Sequence, residues 1–120
     1  MINGVGPNAE TVVNVQGGRQ SNVPYRCDLY PCKAYLRVCS ILAAGAAKYG
    51  EWNWLNVTIP EHINHALVHI NAYGAGDRQD DHMGHAACRL AMALELILDK
   101  EEQSERDNKK EPFGFAGAKR

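Results

Sequence analysis

The sequence predicts an all-α protein, a small helical bundle in which an antiparallel helix hairpin carries the functional site. Three observations lead there. Apolar residues recur at helical spacing in three segments, near 31–49, 58–73 and 80–102. Each segment is bounded by a recognisable start or stop signal. All five histidines fall between positions 62 and 85, within the second and third segments.

A chain of 120 residues fits one domain. Chains of this size hide roughly two-thirds of their unfolded surface, so a core is within reach. The formal net charge is −1, which argues against a surface built to coat nucleic acid. No stretch reaches the roughly 18 apolar residues of a membrane span, so no membrane partner is expected. The first residues show no basic region followed by an apolar stretch, and no signal peptide is predicted. Cys27 and Cys32 are spaced C-x4-C, while Cys39 and Cys88 stand alone, so the paired C-x2-C units of a zinc ribbon are missing. Cys39 and Cys88 sit in apolar helical runs, where a free thiol acts as a small core residue. These features predict reduced thiols and a cytoplasmic location. A Cys27–Cys32 bridge is the alternative.

Residues 1–24 are rich in Gly, Asn, Gln and Val and show no helical period. They read as an extended arm, either mobile or laid on a partner subunit. The helical domain is expected over 25–104. Its first helix runs from about Pro31, since proline suits a first turn, to Tyr49, where Gly50 is a natural stop. Ala34, Val38, Ile41, Leu42 and Gly45 form one stripe, and Leu36, Cys39, Ala43, Ala46 and Ala47 make much of the remainder apolar. A helix apolar nearly all round is buried on several sides, which in so small a protein predicts a homo-oligomer. The second helix opens with a capping box at Thr58 and Glu61 and stops at Gly74. The third begins near Asp80 or Asp81, good N-cap residues, and runs to about Glu102. The link 74–79 is short, so helices two and three form an antiparallel hairpin. Residues 105–120 are charged and then Gly-rich, and read as a flexible tail in which Phe113 and Phe115 could dock on a neighbour.

The histidines carry the chemistry. His62, His65 and His69 share one stripe of the second helix, and His82 and His85, with Arg89, share one stripe of the third. Both segments follow H-x-x-H-A-x-x-[HR]-[IL], from His62 to Ile70 and from His82 to Leu90. In an antiparallel hairpin the two stripes face one another. Neutral imidazole is a strong ligand for manganese, zinc, iron or nickel, and facing helices can share one ion. The expected metal ligands are His65, His69, His82 and His85, with Asp77, Asp80 and Asp81 close enough in sequence to add oxygen. Two other readings stay open: protonated histidines and Arg89 binding phosphate without metal, and surface histidines with no special role. The loop Lys48-Tyr49-Gly50-Glu51-Trp52-Asn53-Trp54 holds both tryptophans. Trp52 and Trp54 could stack on a base, Asn53 could read its edge and Lys48 could meet a phosphate. Alternatively the tryptophans plug the core.

Across about Tyr25 to Glu95 the order and spacing of several motifs resemble a known family. They are Asp28-Leu29-Tyr30-Pro31, Gly45-Ala46-Ala47-Lys48-Tyr49-Gly50-Glu51-Trp52-Asn53-Trp54, His65-Ala66-Leu67-Val68-His69 and His82-Met83-Gly84-His85-Ala86-Ala87. The chain is similar to the phage-associated dATP/dGTP diphosphohydrolase N-terminal domain family, kin to the MazG-like all-helical pyrophosphohydrolases. The resemblance implies metal-dependent hydrolysis of a purine deoxynucleoside triphosphate to the monophosphate and pyrophosphate, in the host cytoplasm if the chain is phage-encoded. Val68 stands where the family commonly has arginine. The E-E-x-x-E and E-x-x-D carboxylates of the MazG-like enzymes are expected to be absent, with Asp81-His82-Met83-Gly84-His85 in the place of an E-E-x-G-D run. Magnesium prefers hard oxygen ligands, so this set favours manganese or another transition metal. On this reading His82, His85 and Asp81 are catalytic, and Lys48, Trp52, Asn53, Trp54 and Arg89 bind substrate. The rival expectation is a phage-type protein that binds or sequesters a nucleotide without turnover. A third is a structural helical oligomer whose histidines pair across interfaces.

Overall fold

A computed structural model of the chain describes residues 2–110, the last two of them as backbone only. The chain divides into two compact units, one ending at Pro31 and the other beginning at Cys32.

In the first unit, β1 (Thr11–Val13) pairs antiparallel with β2 (Arg19–Ser21), with Val12 opposite Gln20. The intervening turn is built by Asn14, whose Oδ1 accepts from the Gln16 and Gly18 amides, both at 2.9 Å. Gly17 takes a left-handed φ of 84° there. The arm thus contains a hairpin that a lack of helical period does not disclose. The Asn-rich, Gly-rich turn was its signal. A 3₁₀ turn, Cys27–Leu29, follows, with Arg26 and Asp28 paired at 2.9 Å.

The second unit holds α1 (Cys32–Tyr49), α2 (Ile59–Gly74) and α3 (His82–Lys110). The all-α expectation holds for this unit, and among the described residues the small two-stranded sheet is the only sheet. α1 ends as the sequence predicts, with Gly50 at φ 100° and its amide bonded to the Ala46 carbonyl. The capping box at α2 forms in full: the Glu61 amide donates to Thr58 Oγ1, and the Thr58 amide donates to Glu61 Oε1. The stop expected at Gly74 comes slightly later. Gly74 is still helical, and Gly76 takes the left-handed conformation, with φ 94°. Asp81 caps α3, its Oδ1 accepting from the Gly84 amide at 3.1 Å.

α3 does not end near Glu102 but continues to Lys110. The polar segment supports itself through neighbouring turns: Gln103 donates to Asp107 and Arg106 to Gln103. A sequence this polar lacks the apolar period on which the shorter boundary rested. The docking idea for Phe113 and Phe115 lies outside the described residues.

α2 and α3 pack against one another, antiparallel as the His69–His82 and His62–Arg89 contacts show, and α1 lies against α3. The buried apolar residues among those described are small: Ala66, Ala86, Cys88 and Ala93. Burial pushes the Cys88 thiol up, as for an inert core cysteine. α1 buries no residue fully, and Tyr35, Leu36 and Leu42 are exposed. Leu67, Leu90, Leu94 and Leu98 also keep about half their surface exposed. The apolar faces expected to be covered on several sides are uncovered in the single chain.

Candidate functional site

The repeated motif becomes a pseudo-twofold arrangement. In an antiparallel hairpin the first position of one copy meets the eighth position, [HR], of the other. His69 lies against His82, with their Nδ1 atoms 3.0 Å apart. His62 lies against Arg89, whose Nη1 is 3.2 Å from His62 Nδ1. The shared alanines, Ala66 and Ala86, are almost fully buried. With no side chain beyond Cβ, they let the helices approach closely between the two polar pairs. The pairs lie seven residues apart on α2, about 10 Å along the helix.

At the first pair, His82 Nε2 is 3.0 Å from Asp77 Oδ2, so the ring donates to that carboxylate. A neutral His82 then accepts at Nδ1, and His69 supplies the Nδ1–H. Asp77 is fixed in turn by the Gln79 amide on its other oxygen. The Gln79 amide, and then His82, hold the Asp77 carboxyl below its ordinary value. His85 stacks on His69, with ring centroids 5.1 Å apart, and its Nε2 is 3.5 Å from Asp80 Oδ1. His69 is pushed down, first by burial and then by the neighbouring His85. It is thereby kept in the neutral form that can serve as a ligand.

One ligand atom from each of His69, Asp80 and His82 lies within 4.8 Å of the others. This set fits a divalent ion. A ligating histidine commonly donates its other ring N–H to a carboxylate, and Asp77 already takes that role toward His82. Mixed nitrogen and oxygen donors suit manganese or another transition ion better than magnesium.

Of the expected ligands, the structure gathers His69, His82 and His85. His65 is exposed one turn earlier on α2. Asp80 joins the cluster. Asp81 faces elsewhere, with Oδ2 paired to Arg37 of α1 at 2.8 Å and Oδ1 on the Gly84 amide. Arg37 is the main reason that carboxyl is held low. The expectation that no E-E-x-x-E run is present is wrong: that spacing occurs at Glu101-Glu102-Gln103-Ser104-Glu105. It sits on exposed later turns of α3, roughly 28 Å along the helix from His82.

At the second pair, His62 Nε2 donates to the Trp54 carbonyl at 3.0 Å. That carbonyl belongs to the 3₁₀ turn Asn53–Asn56, which also touches α3. Trp52 just before it has φ 64°, the only left-handed non-glycine residue among those described. Such strain costs about 1–3 kcal/mol and concentrates at functional segments. Trp52 is 66% exposed, which removes it as a core plug within the chain, while Trp54 is half-buried. The two rings are 6.1 Å apart and tilted by 46°. Lys48 is exposed, with its ammonium over the Tyr49 ring. Asn53 is exposed in the same turn.

His62 was not assigned a role from the sequence, and Asp77 was expected only as a further oxygen ligand, not as the carboxylate behind His82. The signal for His62 was its equivalence to His82 in the repeat. Asp77 had none beyond proximity, because its contact depends on the path of the loop. A surface cleft between the 3₁₀ turn and α3, lined by Leu55, Thr58, Pro60, Leu96, Asp99 and Gln103, includes none of the expected site residues.

Comparison with known proteins gives one family model, described as dATP/dGTP diphosphohydrolase, N-terminal, which matches residues 14–106. No curated protein and no solved structure matches the chain.

Proposed function

The chain belongs to the dATP/dGTP diphosphohydrolase N-terminal family, and from that premise we propose that it hydrolyses a purine deoxynucleoside triphosphate to the monophosphate and pyrophosphate. The observation that carries the reading is the His69–Asp80–His82 cluster, with Asp77 behind His82 and His85 beside Asp80. His69, His82 and Asp80 would hold a divalent metal, with His85 and His65 able to join. Such an ion supplies charge screening for the phosphates and makes water more acidic. Water attacks the α-phosphorus, the bond from that phosphorus to the α,β-bridging oxygen breaks, and pyrophosphate leaves. His85, the ring beside Asp80 and outside the His69–Asp80–His82 ligand set, would take the proton of the attacking water.

The remaining residues bind and orient. Exposed Trp52, with Trp54 behind it, offers a face to the purine, and Asn53 can meet the base edge. Arg89 and Lys48 contribute positive charge for the phosphates. A second copy of the chain would cover the apolar α1 and α3 faces left open here.

The test is incubation of the purified protein with manganese and each deoxynucleoside triphosphate, with products resolved by phosphorus NMR. Equal amounts of monophosphate and pyrophosphate from dATP or dGTP, lost in His82→Ala, support the reading. Release of inorganic phosphate alone contradicts it. Tight nucleotide binding with no product would favour the rival reading, a nucleotide-sequestering protein, which the lack of a carboxylate quartet at the cluster supports.

A further inference from the structure

We propose that His62 is a positioning residue that latches the Trp52–Trp54 loop to the guanidinium of Arg89, so that the base-side and phosphate-side contacts of the site are held at one fixed spacing. This rests on the nucleotide reading above and adds a residue to which that reading gives no part.

His62 has the largest fully buried side chain among the described residues, at 0% exposure. Apart from His82, the other buried side chains among the described residues are small and apolar, Ala66, Ala86, Cys88 and Ala93, so a ring is an unusual choice for filling space. Both ring nitrogens are used, in opposite senses. An arginine N–H can only donate, so Nδ1 facing Arg89 carries no proton. Nε2 therefore carries it and donates to the Trp54 carbonyl. The ring is a one-way connector, accepting from α3 on one side and donating to the loop on the other.

The elements it joins need holding. The loop contains left-handed Gly50 and Trp52 within three residues, and its closing 3₁₀ turn has only short-range backbone bonds of its own. Arg89 is half-buried. One N–H is committed to His62, which fixes the guanidinium and leaves its other N–H groups to meet an anion. His82, the equivalent position of the repeat, shows the same plan. Its Nε2 donates to Asp77 in the segment preceding its helix, and its Nδ1 meets His69 on the facing helix. Two rings with the same two-sided role, at equivalent positions, mark a working arrangement and not incidental packing.

The experiment has a ligand-free arm and a binding arm, both on the full chain. In the first, nitrogen-15 NMR reads the His62 ring. A neutral Nε2–H tautomer is expected, and an Nδ1–H tautomer or a doubly protonated ring overturns the latch. In the second, dATP and dGTP are titrated against tryptophan fluorescence for the native protein, His62→Phe and His62→Gln, each below its melting temperature. Phenylalanine keeps the flat ring and loses both hydrogen bonds, whereas glutamine restores a donor and an acceptor. We expect at least a tenfold loss of affinity in His62→Phe and partial recovery in His62→Gln. Combined with Trp52→Ala, the loss should fall well short of the product of the single effects, since both changes disable the same loop. A ring that only fills the core gives a His62→Phe protein that melts earlier yet binds as the native protein does, with multiplicative double-mutant effects. That result overturns the latch and leaves the nucleotide reading intact. Absence of nucleotide binding in the native protein ends both.

Discussion

At the scale of single residues, the chemistry rests on which nitrogen of each histidine faces what. His82 is anchored by Asp77, so Asp77→Asn should keep the cluster but weaken its hold on metal. Loss of such an outer carboxylate commonly lowers affinity about 10–100-fold, which manganese titration would measure. His69 gives a pH prediction. Its folded pKa lies below the ordinary 6.5 because of burial and His85, with His82 and His65 acting in the same direction and Asp80 opposing. Above 6.5 both folded and unfolded chains are neutral there, and the group has no effect. As pH falls below 6.5 the unfolded chain takes the proton first, so stability drops through that window until the folded pKa is reached. Melting temperature against pH, compared between the native protein and His69→Asn, should show the native curve falling more steeply. Trp52 belongs at this scale too. Its exposure predicts that Trp52→Ala weakens nucleotide binding tenfold to hundredfold, the equivalent of about 1–3 kcal/mol of stacking, with little change in melting. The meeting of His69 with His82 was legible in the repeat, because helical period and antiparallel packing dictate it. The partners Asp77 and the Trp54 carbonyl were not, because loop paths follow no period.

At the scale of elements, ends and contacts can be tested separately. Thr58→Ala removes the α2 cap and should cost about 1 kcal/mol, read in urea unfolding. Gly84 is where α1 approaches α3. A Cβ there would overlap the Asp81 carboxylate and lie 2.9 Å from Ile41 Cδ1. Gly84→Ala should therefore disturb both the α3 cap and the Arg37–Asp81 pair. We expect destabilisation of about 1–3 kcal/mol, typical of overpacking, where alanine in an open helix position would stabilise. The helix starts were legible because capping chemistry is local: Thr58 with Glu61, and Asp81 before His82. The end of α3 was not, since residues past Glu102 form a polar helix held by side-chain pairs and not by an apolar face. The β1–β2 hairpin escaped notice because three-residue strands carry too little alternation to register.

At the scale of the whole molecule, the α2–α3 hairpin aligns two copies of one motif so that each end presents a polar pair, with the buried Ala66 and Ala86 of the repeat between them. That order was readable from the sequence, as were the family and the all-α class. Which carboxylate joins the cluster was not: Asp80 and Asp81 are adjacent, and only the turn into α3 sends one to the histidines and the other to Arg37. The uncovered apolar surface on α1 and α3, including Leu36, Leu42, Leu90, Leu94 and Leu98, predicts self-association. Light scattering at micromolar concentration should give at least twice the 13.3 kDa chain mass, and a purely monomeric mass would contradict it. The central claim, that the hairpin's histidine cluster holds a divalent metal, is tested most directly by elemental analysis after manganese loading and removal of free ion. The account predicts about one equivalent per chain in the native protein and little in His82→Ala. A native protein that retains no metal, or a His82→Ala protein that retains it fully, would contradict the account.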